Sequence, residues 1–119
     1  MDKKIYVVED NDDIRELVTY LLESEGYGVE SFATVKAFER ELVKEMPTLF
    51  LLDVMLPDGN GITICENLKG NEVSAKIPVL LMSAHKDVEF MRKESRADDF
   101  IAKPFDIDAL VTKVKQLID

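Results

Sequence analysis

Short apolar runs alternate with amphipathic segments along the whole chain, and this alternation restricts the possible fold more than any other feature. Residues 5–8 and 49–52 are apolar runs, typical of strands that are buried on both faces of a parallel sheet. Between such runs, apolar residues recur three and four positions apart, as in 14–22 and 107–118, which indicates helices that bury one face. A β-α unit repeated five times predicts an α/β fold, with a parallel sheet between two layers of helices.

Composition excludes several classes of protein. With 119 residues and 46% hydrophobic residues, the chain can build one core, so we expect a single domain over residues 1–119 with no effector domain in this chain. The net charge of −9 argues against direct nucleic-acid binding and against binding to a membrane surface. The apolar runs are too short for a membrane span or a signal peptide. The one cysteine excludes an intramolecular disulfide, and we expect a cytoplasmic protein.

Polar residues follow four of the five predicted strands. They are Glu9 and Asp10 after the first strand, Asp53 after the third, Ser83 after the fourth and Lys103 after the fifth. The carboxyl ends of parallel strands lie at one edge of the sheet, where ligands of open α/β folds bind. Asp53 ends a buried apolar run, and burying an unpaired carboxylate is costly, so Asp53 needs a partner. The pattern therefore predicts a shared site at this edge.

The residue types at this edge suit one kind of chemistry. Carboxylate oxygens from Asp10 and Asp53 are ligands that suit Mg²⁺, and Glu9 can bind the metal through water. Lys103 adds a positive charge and Ser83 a hydroxyl donor. A metal, an ammonium group and a hydroxyl around one carboxylate would hold a phosphoryl group for in-line attack by Asp53.

These residues resemble those of the receiver (CheY-like) domain of bacterial two-component response regulators. The matching residues are Glu9, Asp10, Asp53, Met55, Pro57, Gly61, Ser83, Ala84 and the run 98–105. The resemblance extends from Ile5 to Asp119. It implies a flavodoxin-like (βα)5 three-layer sandwich, whose five-stranded parallel sheet has the order 2-1-3-4-5. It also implies a cis peptide bond before Pro104.

The resemblance assigns roles to the residues at the strand ends. Asp53 is implied to accept a phosphoryl group from the phosphohistidine of a sensor histidine kinase or a histidine phosphotransfer protein. Asp10, Asp53 and the backbone carbonyl of Met55 are implied to bind Mg²⁺, with Glu9 in support. Lys103 is implied to pair with the phosphoryl oxygens.

The resemblance also implies a conformational switch. Ser83 would move to hydrogen-bond the phosphoryl group, and Phe100 would rotate inward with it. This change would alter the surface around the fourth helix, fifth strand and fifth helix. The altered surface would bind a downstream protein, or an effector domain absent from this chain. Such a domain is not a conventional enzyme, although Mg²⁺-dependent self-phosphorylation and autodephosphorylation are expected of it.

The chain departs from the common family pattern at several positions. Ser83 and Phe100 stand where Thr and Tyr are frequent, and Arg96 stands where Gly is common. Ser83 lacks the methyl group that restricts the rotamers of Thr, which implies a looser switch. The segment between Ser83 and Lys103 is shorter than usual, and it lies on the route to the output surface. We hypothesise that His85, the one histidine of the sequence, influences the rate of dephosphorylation.

Three alternative functions fit the residues less well. A phosphatase of haloacid-dehalogenase type needs a second Asp two residues after the nucleophile, where this chain has Met55. A flavin-binding module needs a phosphate-binding loop rich in Gly, Ser or Thr, whereas residues 9–13 are acidic apart from Asn11. A receiver that acts without phosphorylation, as an interaction module, would not need the complete set of polar residues that this chain has at the ends of its predicted strands.

Overall fold

The computed structural model describes residues 3–84 and 95–118, and it confirms the predicted α/β architecture. Five parallel strands form the main sheet: β1 (Lys4–Val8), β2 (Gly28–Phe32), β3 (Leu49–Asp53), β6 (Val79–Ser83) and β7 (Asp99–Ala102). Their order is β2-β1-β3-β6-β7, which is the flavodoxin-like order 2-1-3-4-5 when the strands of this sheet are counted along the chain. A separate antiparallel hairpin, β4 (Met55–Leu56) and β5 (Gly59–Asn60), follows β3.

Four helices within the described residues cover the sheet. They are α1 (Asp12–Ser24), α2 (Val35–Leu42), α3 (Gly61–Lys69) and α4 (Ile107–Ile118). Buried side chains of α1 and α4 share one core cluster, and those of α2 and α3 share the other, so the sheet lies between two helical layers. Val88 and Met91, whose spacing in the sequence is that of a helical pair, lie outside the described residues. No helix in the described part of the chain is long and apolar enough to cross a membrane.

The continuous apolar character of the strands follows from burial on both faces. In β1, Ile5 and Val7 pack with α1 and α4, whereas Tyr6 and Val8 pack with α2 and α3. Because successive side chains of a strand point to opposite faces, a strand between two helical layers exposes neither face to solvent, and its positions are apolar up to its carboxyl end. Edge strand β2 is less buried, which fits its mixture of polar and apolar residues.

The helix N-termini are capped by side chains. Asn and Thr are residue types favoured at helix N-termini. The side chain of Asn11 accepts a hydrogen bond from the Ile14 N–H at 3.0 Å, and the side chain of Thr34 accepts one from the Ala37 N–H at 3.2 Å. At the other end of α1, Gly26 has a φ of 94°, a left-handed conformation that glycine adopts without strain.

Two details differ from the sequence predictions. The composition of residues 57–61, with Pro, Asp, Asn and two Gly, predicts a loop, but β5 lies within them and α3 begins at Gly61. Strands of two residues carry no periodic signal, so a pattern search misses them. Leu17 belongs to the apolar stripe of α1 but is 44% exposed, because the stripe is wider than the face that α1 buries through Val18 and Leu22.

Candidate functional site

The carboxyl ends of the central strands are held in register by backbone hydrogen bonds. The Val54 N–H donates to the Met82 carbonyl at 2.9 Å, and the Lys103 N–H donates to the Ser83 carbonyl at 2.7 Å. These bonds join the end of β3 to β6, and the end of β6 to β7. The predicted site residues therefore come from neighbouring strands whose relative positions are fixed by the main chain.

Three carboxylates converge at this edge, as the sequence predicted. Glu9 is fully buried, Asp53 is 5% exposed and Asp10 is exposed. One carboxylate oxygen from each lies within 4.8 Å of the others. The Nζ atom of Lys103 lies 3.2 Å from Oδ2 of Asp53 and also pairs with Oε1 of Glu9. The Lys103 ammonium group therefore offsets part of the repulsion between the two buried carboxylates.

Several hydrogen bonds hold Glu9 in place. Its Oε2 atom accepts a hydrogen bond from the Asn11 N–H at 3.1 Å, and Oε1 accepts from Lys103. Its backbone carbonyl accepts from Nη1 of Arg15 at 3.0 Å. Burial raises the pKa of the Glu9 carboxyl, while the bonds from Lys103 and Asn11 act in the opposite direction. The contact between Glu9 and Lys103 joins residues 94 positions apart, so no local sequence signal could reveal it.

The donor set of this site fits a small, hard cation. Mg²⁺ binds oxygen ligands at about 2.0–2.1 Å in an octahedron, so opposite ligands lie about 4.2 Å apart. Oxygens of Glu9, Asp10 and Asp53 that already lie within 4.8 Å of one another need only small side-chain adjustments to reach that geometry. The acidic cluster can therefore bind a metal ion. Met55, whose carbonyl was predicted as a further ligand, begins the hairpin that follows Asp53, and its side chain is 63% exposed.

Gly61 allows the main chain to pack closely behind Asp53. Its N–H donates to the Val54 carbonyl at 2.8 Å. A Cβ atom at position 61 would overlap the carbonyl oxygen of Asp53 and would lie 2.9 Å from its carbonyl carbon. Gly61 is one of the residues that carry the resemblance to receiver domains, but only the structure supplies the physical reason for a glycine there.

The two predicted switch residues lie on β6 and β7, the two strands of the main sheet that follow β3 in its order. Ser83 is buried at the end of β6. Phe100 is 5% exposed, and its ring packs in the core cluster under α2 and α3, so it faces inward in this structure. The movement of either residue remains a prediction. The Lys103–Pro104 peptide bond is cis, as the resemblance implied. His85 lies outside the described residues.

A family model described as the response regulator receiver domain matches residues 5–115. The chain belongs to this family. The receiver domain is 36% identical over 120 residues to the phosphate regulon transcriptional regulatory protein PhoB of Escherichia coli (strain K12). That match covers 99% of this chain and 52% of PhoB, and the chain spans about half the length of the curated relatives it matches.

Solved structures show the same fold. The BeF3-activated receiver domain of DrrB from Thermotoga maritima superposes with a TM-score of 0.87 at 34% identity, over 98% of this chain and 97% of that one. The receiver domain of a signal transduction histidine kinase from Syntrophus aciditrophicus has a TM-score of 0.90 at 33% identity, covering 98% and 89% of the two chains. The chain is thus a receiver domain homologous to response regulators such as PhoB and DrrB, which is consistent with a phosphoacceptor switch in two-component signalling.

Proposed function

We propose that Asp53 is the phosphoacceptor of this receiver domain and that its phosphorylation depends on Mg²⁺. The observation that carries the proposal is the buried Asp53 carboxylate, 3.2 Å from the Lys103 ammonium group and within one acidic cluster with Glu9 and Asp10. A bound Mg²⁺ would neutralise charge on the phosphoryl oxygens during transfer. Asp10, Asp53 and the Met55 carbonyl would hold it, and Glu9 would support them.

The residues of the site suit an in-line transfer. A carboxylate oxygen of Asp53 forms the new P–O bond, the P–N bond of phosphohistidine breaks, and the departing imidazole nitrogen keeps the electron pair. Lys103 already pairs with Asp53, so a phosphoryl group on Asp53 would place its oxygens near the same ammonium group. The donor would be a sensor histidine kinase or a histidine phosphotransfer protein.

Ser83 and Phe100 would couple phosphorylation of Asp53 to a change at the protein surface. Ser83 would hydrogen-bond the phosphoryl group, and Phe100, two residues from the end of β7, would respond with it. The phosphoryl group needs only to shift an existing equilibrium between two conformations by a few kcal/mol. The changed surface would act on a downstream protein partner or on an effector domain, with no direct binding of nucleic acid by the receiver itself.

The test is incubation with acetyl phosphate, followed by intact-mass measurement. The wild-type protein is expected to gain the mass of one phosphoryl group in Mg²⁺, and none in EDTA. Asp53→Asn keeps a side chain of the same shape without the nucleophilic oxygen, and it is expected to gain none in either buffer. The adduct is expected to disappear after removal of the donor, by autodephosphorylation. An equal adduct on wild type and Asp53→Asn would overturn the assignment, as would none on the wild type.

A further inference from the structure

The hairpin formed by β4 and β5 connects Asp53 to α3 and carries Met55. Its strands have two residues each, and Met55 pairs with Asn60 across it. A ladder this short has little stability of its own. The position of the Met55 carbonyl therefore depends on contacts that hold the hairpin against the body of the domain.

One end of the hairpin is anchored to α3. The side chain of Asn60 accepts a hydrogen bond from the Ile62 N–H at 2.7 Å, and the Gly61 N–H donates to the Val54 carbonyl at 2.8 Å. These contacts fix the strand that returns to α3. The turn at the opposite end of the hairpin needs a separate anchor.

Asp58, in that turn, is bound to the N-terminus of α2. Its Oδ1 atom accepts from the Val35 N–H at 2.8 Å, and its Oδ2 atom accepts from the Lys36 N–H at 3.1 Å. The third N–H of the helix, that of Ala37, is satisfied by Thr34. Two of the first three backbone donors of α2 are thus bound by Asp58, which is 23 residues from Val35 and 22 from Lys36. The third donor is bound by the neighbouring Thr34.

The contact is favourable for electrostatic and steric reasons. A carboxylate at a helix N-terminus meets the positive end of the helix dipole, and hydrogen bonds to a charged acceptor are stronger than neutral ones. The bonds from Val35 and Lys36 lower the pKa of the Asp58 carboxyl. Next to it, a Cβ at Gly59 would lie 2.8 Å from Cγ2 of Val35, so the turn and the first helical turn are closely packed.

We propose that Asp58 is a positioning residue for the metal site. By docking the hairpin turn onto α2, Asp58 holds the Met55 carbonyl in the place where it can bind Mg²⁺ beside Asp10 and Asp53. The inference rests on the proposed function, because it concerns the same metal ion. Asp58 itself touches neither the metal nor the phosphoryl group. Its loss would free the turn end of the hairpin while the carboxylate ligands, which lie on the main sheet or directly after it, stay in position.

The experiment compares Mg²⁺ affinity in four proteins: wild type, Asp58→Ala, Asp58→Asn and Thr34→Ala. Thr34→Ala is the matched control, because it removes a cap from the same helix end without touching the hairpin. Mg²⁺ alone is titrated into ¹⁵N-labelled protein, and dissociation constants are read from amide shifts near Asp53. Urea unfolding of each variant reports stability separately.

We expect Asp58→Ala to weaken Mg²⁺ binding about tenfold, the size typical of outer-shell residues around metals. Asp58→Asn keeps one acceptor oxygen, so its Mg²⁺ affinity should lie between those of Asp58→Ala and wild type. Thr34→Ala should lower stability but bind Mg²⁺ like wild type. With acetyl phosphate, Asp58→Ala should need more Mg²⁺ for half-maximal phosphorylation but approach the wild-type rate when Mg²⁺ is saturating.

Two results would overturn the inference: unchanged affinity in the Asp58 variants, or an equal loss in Thr34→Ala, which would mean that the metal site responds to α2 stability in general. If Asp58→Ala does not fold, the comparison of Asp58→Asn with Thr34→Ala decides in the same way. Wild-type protein that binds no Mg²⁺ would instead contradict the proposed function itself, so the two failures are distinguishable.

Discussion

The substitution Gly61→Ala tests whether the main chain behind Asp53 must pack against α3 as closely as the structure shows. The added Cβ would overlap the carbonyl oxygen of Asp53, and it would lie 2.9 Å from the carbonyl carbon of Asp53 and 3.1 Å from Cα of Val54. Side-chain atoms at such a site can rotate away, but these are backbone atoms. Relief therefore requires the end of β3 and the first turn of α3 to move apart.

The cost can be worked from the contacts that this movement strains. The bond from the Gly61 N–H to the Val54 carbonyl, at 2.8 Å, and the bond from the Val54 N–H to the Met82 carbonyl, at 2.9 Å, would both lengthen. Overpacking costs about 1–3 kcal/mol, and each weakened hydrogen bond about 0.5–1.5 kcal/mol. Overpacking and two weakened bonds together cost about 2–6 kcal/mol. Because both bonds lengthen rather than break, we expect the free energy of unfolding to fall by the lower part of this range, about 2–4 kcal/mol, which leaves a domain of typical stability folded.

Function should suffer as well, because the same movement shifts Asp53 away from Lys103 and Asp10. Urea unfolding followed by circular dichroism measures the loss of stability. Acetyl phosphate phosphorylation of the folded variant, read by intact mass, measures the loss of function. Gly28→Ala is the control, because its Cβ would lie 3.8 Å from the Lys3 carbonyl oxygen, an ordinary contact. If Gly61→Ala matches Gly28→Ala in stability and in phosphorylation rate, the close approach is not required and the reasoning is wrong.

Three further predictions concern charge and burial. Lys103→Ala leaves the buried Glu9 and Asp53 without their cation, so in EDTA the free energy of unfolding should fall by about 3 kcal/mol. Added Mg²⁺ should restore part of the lost stability. If urea unfolding in EDTA gives Lys103→Ala and wild type the same free energy of unfolding, this prediction is wrong. Burial raises the pKa of the Cys65 thiol to about 11, so Ellman's reagent should react slowly with the folded protein at neutral pH and rapidly in urea; equal rates would show that the thiol is accessible. The lowered pKa of Asp58 implies stability that is present above its ordinary pKa of 3.8 and is lost as the pH falls through the lower folded value. The melting temperature of wild type should therefore exceed that of Asp58→Asn at neutral pH, and the gap should narrow in acid; a constant gap would exclude the ionised form as the cause.

Much of the fold could be read from sequence, since each strand and helix carries a local pattern. The apolar run before Asp53 predicted β3, and Thr34 predicted the start of α2, because periodicity and capping depend on residues close together in the chain. The hairpin after Asp53 and the exposure of Leu17 were missed. The first has too few residues for a pattern, and the second depends on how much of α1 the sheet can cover.

The candidate site divides in the same way. The sequence by itself determined which chemical groups are available at the strand ends, because a parallel sheet with alternating helices must bring those ends to one edge. Only the tertiary structure decided how the groups pair: Lys103 bridges Glu9 and Asp53, and Asp58 binds α2 rather than solvent alone. The physical reason is distance along the chain. Contacts between residues tens of positions apart depend on the packing of whole elements, and no local pattern encodes them.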